Sequence, residues 1–370
     1  MARILYVITD LQVGGVPLHM RRLAAETKAR GHDVAVVSLA PVGPVGEMIR
    51  SDGIEVDSCD GRGGWDARVI FRLAKIIKKR KPDLLHALLF HANVASRWAA
   101  RWAGLPKRRV ICEIQTVEVE RTWHLKVDRW THRGCRFTIG NSPSVIEHLA
   151  TRAGIPRDRL RLVRGGVEDR RLRTTVPIDR AELGLSESDK MLLWVGRLDP
   201  VKGLDVLLGA MQGVYGGART HLFLAGDGPL RETLTARIAS LGLSDRVHLL
   251  GQRDDVAALL KAADVFVFPS RTEGLPNALL EAMAAGCAIV TTDVPGCRDL
   301  IVEEGNGLLV PYGDVEALRH AIDRLLTDEI KAKRLARRAQ LDVINDFSIT
   351  KMFQAYEQAY QEALGVPPAR

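Results

Sequence analysis

Between Arg271 and Asp293 the chain reads RTEGLPNALLEAMAAGCAIVTTD, and few kinds of fold can use such a segment. Glu273 stands at a Gly-Leu-Pro-Asn turn, ALLEAMAA follows with helical character, Gly286 supplies a C-terminal stop, and CAIVTT is an apolar run of strand length. Turn, helix and buried strand make one α/β unit. Pro276 suits the first helical position, where its missing N–H would be unpaired in any case. The amides of Gly274, Leu275, Asn277 and Ala278, with the positive end of the helix dipole, then form a site for an anion, and Glu273 offers an acceptor for sugar hydroxyls. Glu281 falls farther along the same helix. Taken alone, a Glu before a helix is as readily a cap and a Glu on it a solvated side chain, so the neighbouring segments decide.

Those segments repeat the unit. MLLWVG (191–196) runs into Arg197-Leu198-Asp199-Pro200-Val201-Lys202-Gly203 and an amphipathic helix, LDVLLGAMQGV. Open α/β sheets bind ligands at the C-terminal edge of their strands, and Arg197 with Lys202 placed there would neutralise most of a diphosphate. HLFLAGDGPLRETL is a strand, a turn at Gly226 and a helix; VHLLGQRDD brings Gln252 and Arg253 to the end of the next strand; ADVFVFPS delivers Glu273.

The ordered set GRLDPVKG, AGDGPL, LLGQRDD, ADVFVFPS and EGLPNALLEAMAAGCAIV, over residues 190 to 300, resembles the donor-binding domain of glycosyltransferase family 4, the retaining nucleotide-sugar transferases of GT-B fold. The resemblance implies an α/β protein of two Rossmann-like, doubly wound parallel-sheet domains facing a central cleft. Residues 1–170 would bind the acceptor, 171–346 the nucleotide-sugar donor, and a C-terminal helix within 347–370 would cross back onto the first domain. It further implies that Glu273 holds hydroxyls of the donor sugar, Glu281 the ribose, and Arg197 with Lys202 the diphosphate. Gly196, Gly226, Gln252, Arg253, Gly274, Leu275, Pro276 and Asn277 would surround the donor. No Asp-x-Asp motif is present, and enzymes of this type generally use protein cations and helix dipoles in place of a metal. No cofactor is expected beyond the donor substrate, for which a UDP-sugar is favoured and GDP-mannose placed second.

The amino-terminal half carries the second domain. RILYVIT (3–9) reads as a buried strand, Gly14-Gly15 closes a turn, and HMRRLAAETKARG reads as a helix. DVAVVSL, LLHALL, RFTIG and RLRLV continue the alternation of strands with helices that defines a parallel sheet. By the resemblance, Gly14 and Gly15 lie near the donor phosphates. His91, in HALLFHANVASRWAA, resembles the family's active-site histidine, which precedes a helix and contacts the donor sugar; the dipole there favours a neutral, hydrogen-bonding imidazole. His86 on the preceding strand is the rival, and Asn141 has a family counterpart in the cleft.

Charge is uneven along the 370 residues. Residues 1–171 hold 31 Lys/Arg against 18 Asp/Glu, and residues 172–370 hold 22 against 27, so the first domain carries +13 and the second −5 of the overall +8. KIIKKRK (75–81) and the Trp-bearing RTWHLKVDRWTHRGCR (121–136) suit peripheral contact with an anionic membrane, or else are solvated helix faces. No nucleic-acid module is present, no stable protein partner is inferred, and no apolar run reaches the roughly 20 residues of a membrane span. Five cysteines without Cys-x-x-Cys spacing point to reduced thiols and a cytoplasmic protein, at most on the inner face of the membrane. The sequence therefore predicts a retaining, metal-independent hexosyltransferase acting on a lipid-linked glycan in surface polysaccharide or glycolipid biosynthesis. A soluble small-molecule acceptor is the alternative within the class, and a catalytically silent nucleotide-sugar-binding scaffold the alternative outside it.

Overall fold

The computed structural model describes residues 1–63, 66–117, 122–215 and 219–366. Two compact units are formed, one from Met1–Arg164 with Met352–Arg370 and the other from Gly165–Lys351.

The first unit holds seven strands: β1 (Arg3–Ile8), β2 (Asp33–Ser38), β3 (Glu55–Ser58), β4 (Leu84–Leu88), β5 (Val110–Ile114), β6 (Phe137–Gly140) and β7 (Leu160–Leu162). They form one sheet in the order β3-β2-β1-β4-β5-β6-β7, with every neighbouring pair parallel. The central strands are mostly apolar on both faces because helices cover both; Leu5, Tyr6, Val7 and Ile8 of β1 are all buried. The helix Arg68–Arg80 shows the matching period, burying Val69, Leu73, Ala74 and Ile77 while turning its lysines outward. The valine, leucine and isoleucine among them each contribute about 1.5–3 kcal/mol when fully removed from water.

In the second unit β8 (Lys190–Val195), β9 (Thr220–Ala225), β10 (Val247–Gly251), β11 (Val265–Phe268), β12 (Ala288–Thr292) and β13 (Leu308–Val310) form a parallel sheet in the order β10-β9-β8-β11-β12-β13. Both sheets therefore reverse their direction of growth once, between β1 and β4 in one and between β8 and β11 in the other. At such a switch point adjacent loops leave in opposite directions and open a crevice beyond the carboxyl ends of the strands.

The boundary between the units falls at Arg164/Gly165, earlier than the 170/171 expected, and the return falls at Met352 rather than 347. The backbone explains the difference. Val167 donates its amide to Phe347 O and accepts from the Ile349 amide, and Leu172 packs into the second core, so the linker belongs to the second unit.

The helix Ile349–Leu364 runs into the first unit, where it buries Met352, Phe353, Tyr356, Ala359, Tyr360 and Ala363. Its stripe is not purely apolar. Tyr356 OH donates to Glu113 Oε1 (2.8 Å), and Tyr360 OH meets Tyr6 OH (2.9 Å) and His86 Nδ1 (3.0 Å). Among the described residues no helix is long and apolar enough to cross a membrane. All five cysteines are buried free thiols. In the basic cluster, Lys78, Lys79 and Lys81 are exposed, whereas Arg80 is committed to Asp57 (2.5 Å) and Glu55 (2.7 Å). Arg121, at the start of the Trp-bearing segment, lies outside the described residues.

Candidate functional site

At the switch point of the second sheet the loop after β8 and the loop after β11 are stitched together. The Arg271 amide donates to Val201 O (2.8 Å), while from β12 Thr291 Oγ1 donates to Phe268 O (2.7 Å) and Thr292 Oγ1 to Ser270 O (2.5 Å). Lys202 closes a short 3-10 turn, Pro200–Lys202, whose N-cap Asp199 accepts from the Val201 amide. Gly203 follows at φ +65°, and an added Cβ there would strike the Pro269 carbonyl, so the loop is tied to the end of β11 at a point only glycine can fill.

The result is a contact ion pair. Lys202 Nζ lies 2.6 Å from Glu273 Oε1, with the two side chains 21% and 11% exposed, and the ammonium also sits 5.5 Å from the Phe268 ring centroid. Arg197 is on the same loop but at its surface, 69% exposed and 3.5 Å from Asp199. Gly196 and Gly226 fix the spacing of the β8 and β9 loops: the Gly196 amide donates to Ala225 O (3.0 Å) and the Gly226 amide to Gly251 O (2.8 Å). Gly226 has φ +145°, and a Cβ on it would land on the Gly196 carbonyl oxygen.

One sequence expectation changes here. Pro276 is the N-cap, with ψ 110°, and the helix begins one residue later as Asn277–Ala285; its first intrahelical bonds are those of the Leu279 and Leu280 amides to Pro276 O. An extended ψ at proline lets the chain turn out of the Gly274 loop before helical geometry starts. Arg253 does not present an uncommitted guanidinium, because it makes a bidentate pair with Asp255 (2.8 and 2.5 Å); Gln252 beside it is exposed. Leu275 and Gly274 are buried, and Asn277 and Glu281 are half-buried on the first turns of the helix. Cys297 lies nearby, but burial pushes its thiol up to about 12, which leaves it inert as a nucleophile at neutral pH.

The first unit's switch point carries Gly14, Gly15 and His91. Gly14 is the extended N-cap of the helix Gly15–Ala29, so the glycine pair starts a helix rather than only closing a turn. After β4, Leu89 takes φ +75° and ψ 158°, a conformation that non-glycine residues occupy at a cost of about 1–3 kcal/mol. It is held there because its amide donates to Glu113 O (3.1 Å) and its carbonyl accepts from the Asn93 amide (2.9 Å), while Asn93 Nδ2 also binds Glu113 O (2.9 Å). The turn launches the helix Phe90–Ala103 and places His91 on its second residue, inside the helix and not ahead of it as expected.

His91 joins Phe90, Trp123 and His124 in an aromatic cluster, and with Phe90 and Trp123 it lines a cavity of about 450 Å³. His86 has a different environment. It is fully buried, 3.0 Å from Glu113 Oε2 by Nε2, and its other nitrogen faces Tyr360. Burial opposes the charge of Glu113, yet the hydrogen bond and charge of His86, with His19 and Gln115, hold its carboxyl below the usual range; burial pushes His19 down to about 4. Asn141 is buried, its Nδ2 donating to Gln115 O (3.3 Å). Sequence reasoning passed over Leu89 and Glu113. A leucine gives no local signal of positive φ, and Glu113 inside the strand VICEI is recognisable only as a charge where a core residue belongs.

Residues 13–171 match the family model Glycosyltransferase Family 4, and residues 175–342 match Glycosyl transferases group 1. The lipopolysaccharide core biosynthesis glycosyltransferase LpsD of Rhizobium meliloti is 30% identical over 72% of this chain and 81% of its own length. The UDP-Gal:alpha-D-GlcNAc-diphosphoundecaprenol alpha-1,3-galactosyltransferase of Escherichia coli is 25% identical over 80% of this chain and 79% of its own. Among solved structures, Anabaena HepE in complex with UDP-glucose superposes with a TM-score of 0.86 at 23% identity, covering 97% of this chain and 99% of that one. Two parallel-sheet Rossmann-like units of GT-B type, both family models in order and a 30% identical relative together make this chain a member of glycosyltransferase family 4.

Proposed function

We propose that the protein is a retaining hexosyltransferase that takes its sugar from a UDP-sugar and passes it to a hydroxyl of a lipid-linked acceptor in glycolipid or surface polysaccharide assembly. One observation carries the donor half: a cation and a carboxylate, Lys202 and Glu273, meet at the switch point beside the N-terminus of a helix. A diphosphate needs the cation and the helix end, and a sugar needs the carboxylate. Support for UDP comes from the HepE complex, and support for a lipid-linked acceptor from the galactosyltransferase of Escherichia coli, which acts on a diphosphoundecaprenol-linked sugar.

In the proposed reaction the C1–O bond of the donor breaks early, giving an oxocarbenium-like sugar and a leaving UDP that gathers charge. Lys202, Arg197 and the helix dipole at Asn277 stabilise that charge as it develops, in the role a metal ion fills elsewhere. The acceptor oxygen attacks from the face the phosphate leaves, and a phosphate oxygen takes its proton. Glu273 orients the sugar hydroxyls, Glu281 the ribose, and His91 serves as a hydrogen-bonding imidazole toward the sugar. The exposed Lys78, Lys79 and Lys81, with Trp123 and Trp130, give the first unit a basic, aromatic surface for an anionic membrane.

The test is hydrolysis and transfer measured across UDP-, GDP- and ADP-hexoses, with and without EDTA. Slow release of UDP from one UDP-hexose in the absence of acceptor, unchanged by EDTA, is the expected result. Tight UDP binding with no hydrolysis of any donor would leave a binding scaffold as the better reading.

A further inference from the structure

The cavity beside His91 has a composition that neither the donor nor a glycan requires. Its floor is the carboxyl end of β1 and β2, with Thr9, Asp10, Leu39 and Ala40, and three helices wall it. Arg68–Arg80 contributes Val69 and Ile70, Phe90–Ala103 contributes Val94 and Ala95, and Thr122–Thr131 contributes Trp123 and Val127. A volume of about 450 Å³ is in the range of small-molecule sites. Sugar-binding surfaces present hydroxyl, amide and carboxylate groups around the ring; here those groups are confined to Thr9, Asp10, Asp66 and His91, and the rest of the wall is mainly hydrocarbon or aromatic.

Charge narrows the occupant. Among the described residues neither Lys nor Arg lines the cavity, while two carboxylates do. Asp66 is already paired with Arg68 (2.8 and 3.1 Å), and that pairing holds its carboxyl down at about 2. Asp10 accepts the Gln12 amide by Oδ1. Asp66 being matched by Arg68, a phosphate or diphosphate would enter this chamber against the charge of Asp10, with no Lys or Arg among the described lining residues to balance it. A neutral hydroxyl on an apolar body meets no such barrier, and its O–H can donate to Asp10.

The outer faces of the same helices show where such a body would come from. Phe71 is 62% exposed and stacks on Trp102 (4.5 Å between centroids), Trp98 is 44% exposed and Trp130 86%. Each of the three helices thus turns apolar side chains into the chamber and leaves an aromatic side chain on the surface, among exposed Lys75, Lys78 and Lys79. Trp123 belongs to both, lining the chamber while 41% exposed. An aromatic and basic surface of this kind suits the interfacial layer of a bilayer.

We propose that the chamber receives the hydrocarbon part of a membrane glycolipid acceptor in which no phosphate separates the hydrocarbon from the accepting sugar or hydroxyl. The polar end of the chamber, at Asp10 and His91, holds the hydroxyl that reacts. This deepens the lipid-linked reading given above and rests on it, but it excludes the diphosphate-linked carriers that the reading also admits.

Binding of methyl β-D-glucoside, dodecyl β-D-glucoside and dodecyl phosphate, all below their critical micelle concentrations, tests the proposal by calorimetric titration into the full chain without donor. Dodecyl glucoside should bind at least about tenfold tighter than methyl glucoside, and about tenfold or more tighter than dodecyl phosphate. Val94→Trp, which fills the chamber, should remove the chain-length dependence; Val127→Trp fills it from another wall and serves if the first variant fails to fold. Equal affinity for the methyl and dodecyl glycosides, tightest binding of dodecyl phosphate, or an unchanged dodecyl glucoside affinity in folded filled variants would each overturn the assignment. UDP is titrated into every protein in parallel. Loss of UDP binding in the unmodified chain strikes at the transferase reading alone, and alkyl-chain binding at the chamber alone.

Discussion

Replacing Glu273 by Gln separates the two jobs proposed for the Lys202–Glu273 pair. Side chains 21% and 11% exposed at 2.6 Å are neither a surface bridge nor a fully desolvated one. An exposed pair contributes about 0–1 kcal/mol, and breaking a buried one costs about 3–5 kcal/mol, so roughly 1–2 kcal/mol is the working value here. When a diphosphate binds, Lys202 Nζ has to share its charge between the phosphate and Glu273, and part of that energy is set against nucleotide affinity. Glu273→Gln keeps the shape of the side chain and releases the ammonium. If half or more of about 1.4 kcal/mol is recovered, UDP binds about 3–10-fold tighter. UDP-glucose, or whichever UDP-hexose the hydrolysis screen selects, loses a charge-assisted contact of about 1.5–3 kcal/mol to its sugar and binds more weakly despite that gain. Lys202→Met reverses the first effect and weakens UDP by about 10–100-fold. Calorimetric titration of both ligands into the two variants, the double variant and the parent at fixed ionic strength measures each step. The reasoning is refuted if Glu273→Gln weakens UDP as much as the UDP-hexose, or if Lys202→Met leaves UDP affinity unchanged.

Three further outcomes follow from the first unit. His19 is held neutral by burial at about 4 against an ordinary 6.5, beside Glu113, Arg22 and His86, so the folded chain binds fewer protons than the unfolded one between those values. Stability is therefore complete above about pH 6.5 and falls by roughly 3 kcal/mol toward pH 4, with the lowered Glu113 adding a loss of the same sign below its unfolded value; urea titrations at pH 7.5, 6 and 4.5 read this, and a flat profile contradicts it. At Leu89 glycine should be more stable than alanine by about 1 kcal/mol or more, the reverse of the ordinary order, since both lack the leucine side chain and only alanine keeps the strain of φ +75°; an Ala variant equal to or better than Gly would show the turn to be unstrained. The chain should co-sediment with phosphatidylglycerol vesicles at low salt and release at high salt, and neutralising Lys78, Lys79 and Lys81 should reduce binding by about 1 kcal/mol per apposed charge, with Arg80 adding less because Asp57 and Glu55 already hold it; a supernatant protein at low salt ends the membrane reading.

What the sequence disclosed and what it hid divide along the range of the interactions. The strand-turn-helix units of GRLDPVKG, AGDGPL and EGLPNALLEAMAAGCAIV are local, each written in a dozen or so consecutive residues by apolar period and glycine punctuation, and both sheets were legible for that reason. The pairing of Lys202 with Glu273 was not, because it depends on β8 lying beside β11 as well as beside β9, a crossover that no local pattern encodes. Arg253 is the opposite case: its partner Asp255 is two residues away, and that pairing is legible from RDD alone. Leu89 and the chamber beside His91 were hidden for a third reason. The strain at Leu89 comes from its bond to Glu113 on another strand, the emptiness from how three helices meet, and Val69, Val94 and Val127 look in sequence like any other core valines.

The C-terminal helix shows how an apolar stripe can mislead about what fixes a helix in place. Tyr356 and Tyr360 have the spacing of core residues, and both are buried, yet each spends its hydroxyl on a group at the centre of the first unit. Tyr356 serves Glu113, which also takes Gln115 Nε2 at 2.6 Å and faces His86; Tyr360 links His86 to Tyr6, and Tyr6 to Thr27 at 2.8 Å. Leucines in the tyrosine positions would cover the sheet as well, and apolar replacement of a whole buried polar set is often neutral or stabilising. What leucines would not do is penalise the wrong register. With the tyrosines in place, a slip of the helix by one turn carries one tyrosine into the other's seat and leaves the second seat without a hydroxyl, so Glu113 or His86 loses one buried partner, at a cost of about 1–3 kcal/mol. An apolar stripe repeats every turn and tolerates that slip; two hydroxyls aimed at one buried carboxylate and one imidazole do not. The polar core of this unit therefore selects a single seating for the returning helix, and Glu113, which binds Asn93 and Leu89 through its backbone carbonyl and amide while its side chain holds the helix, joins that seating to the turn that carries His91.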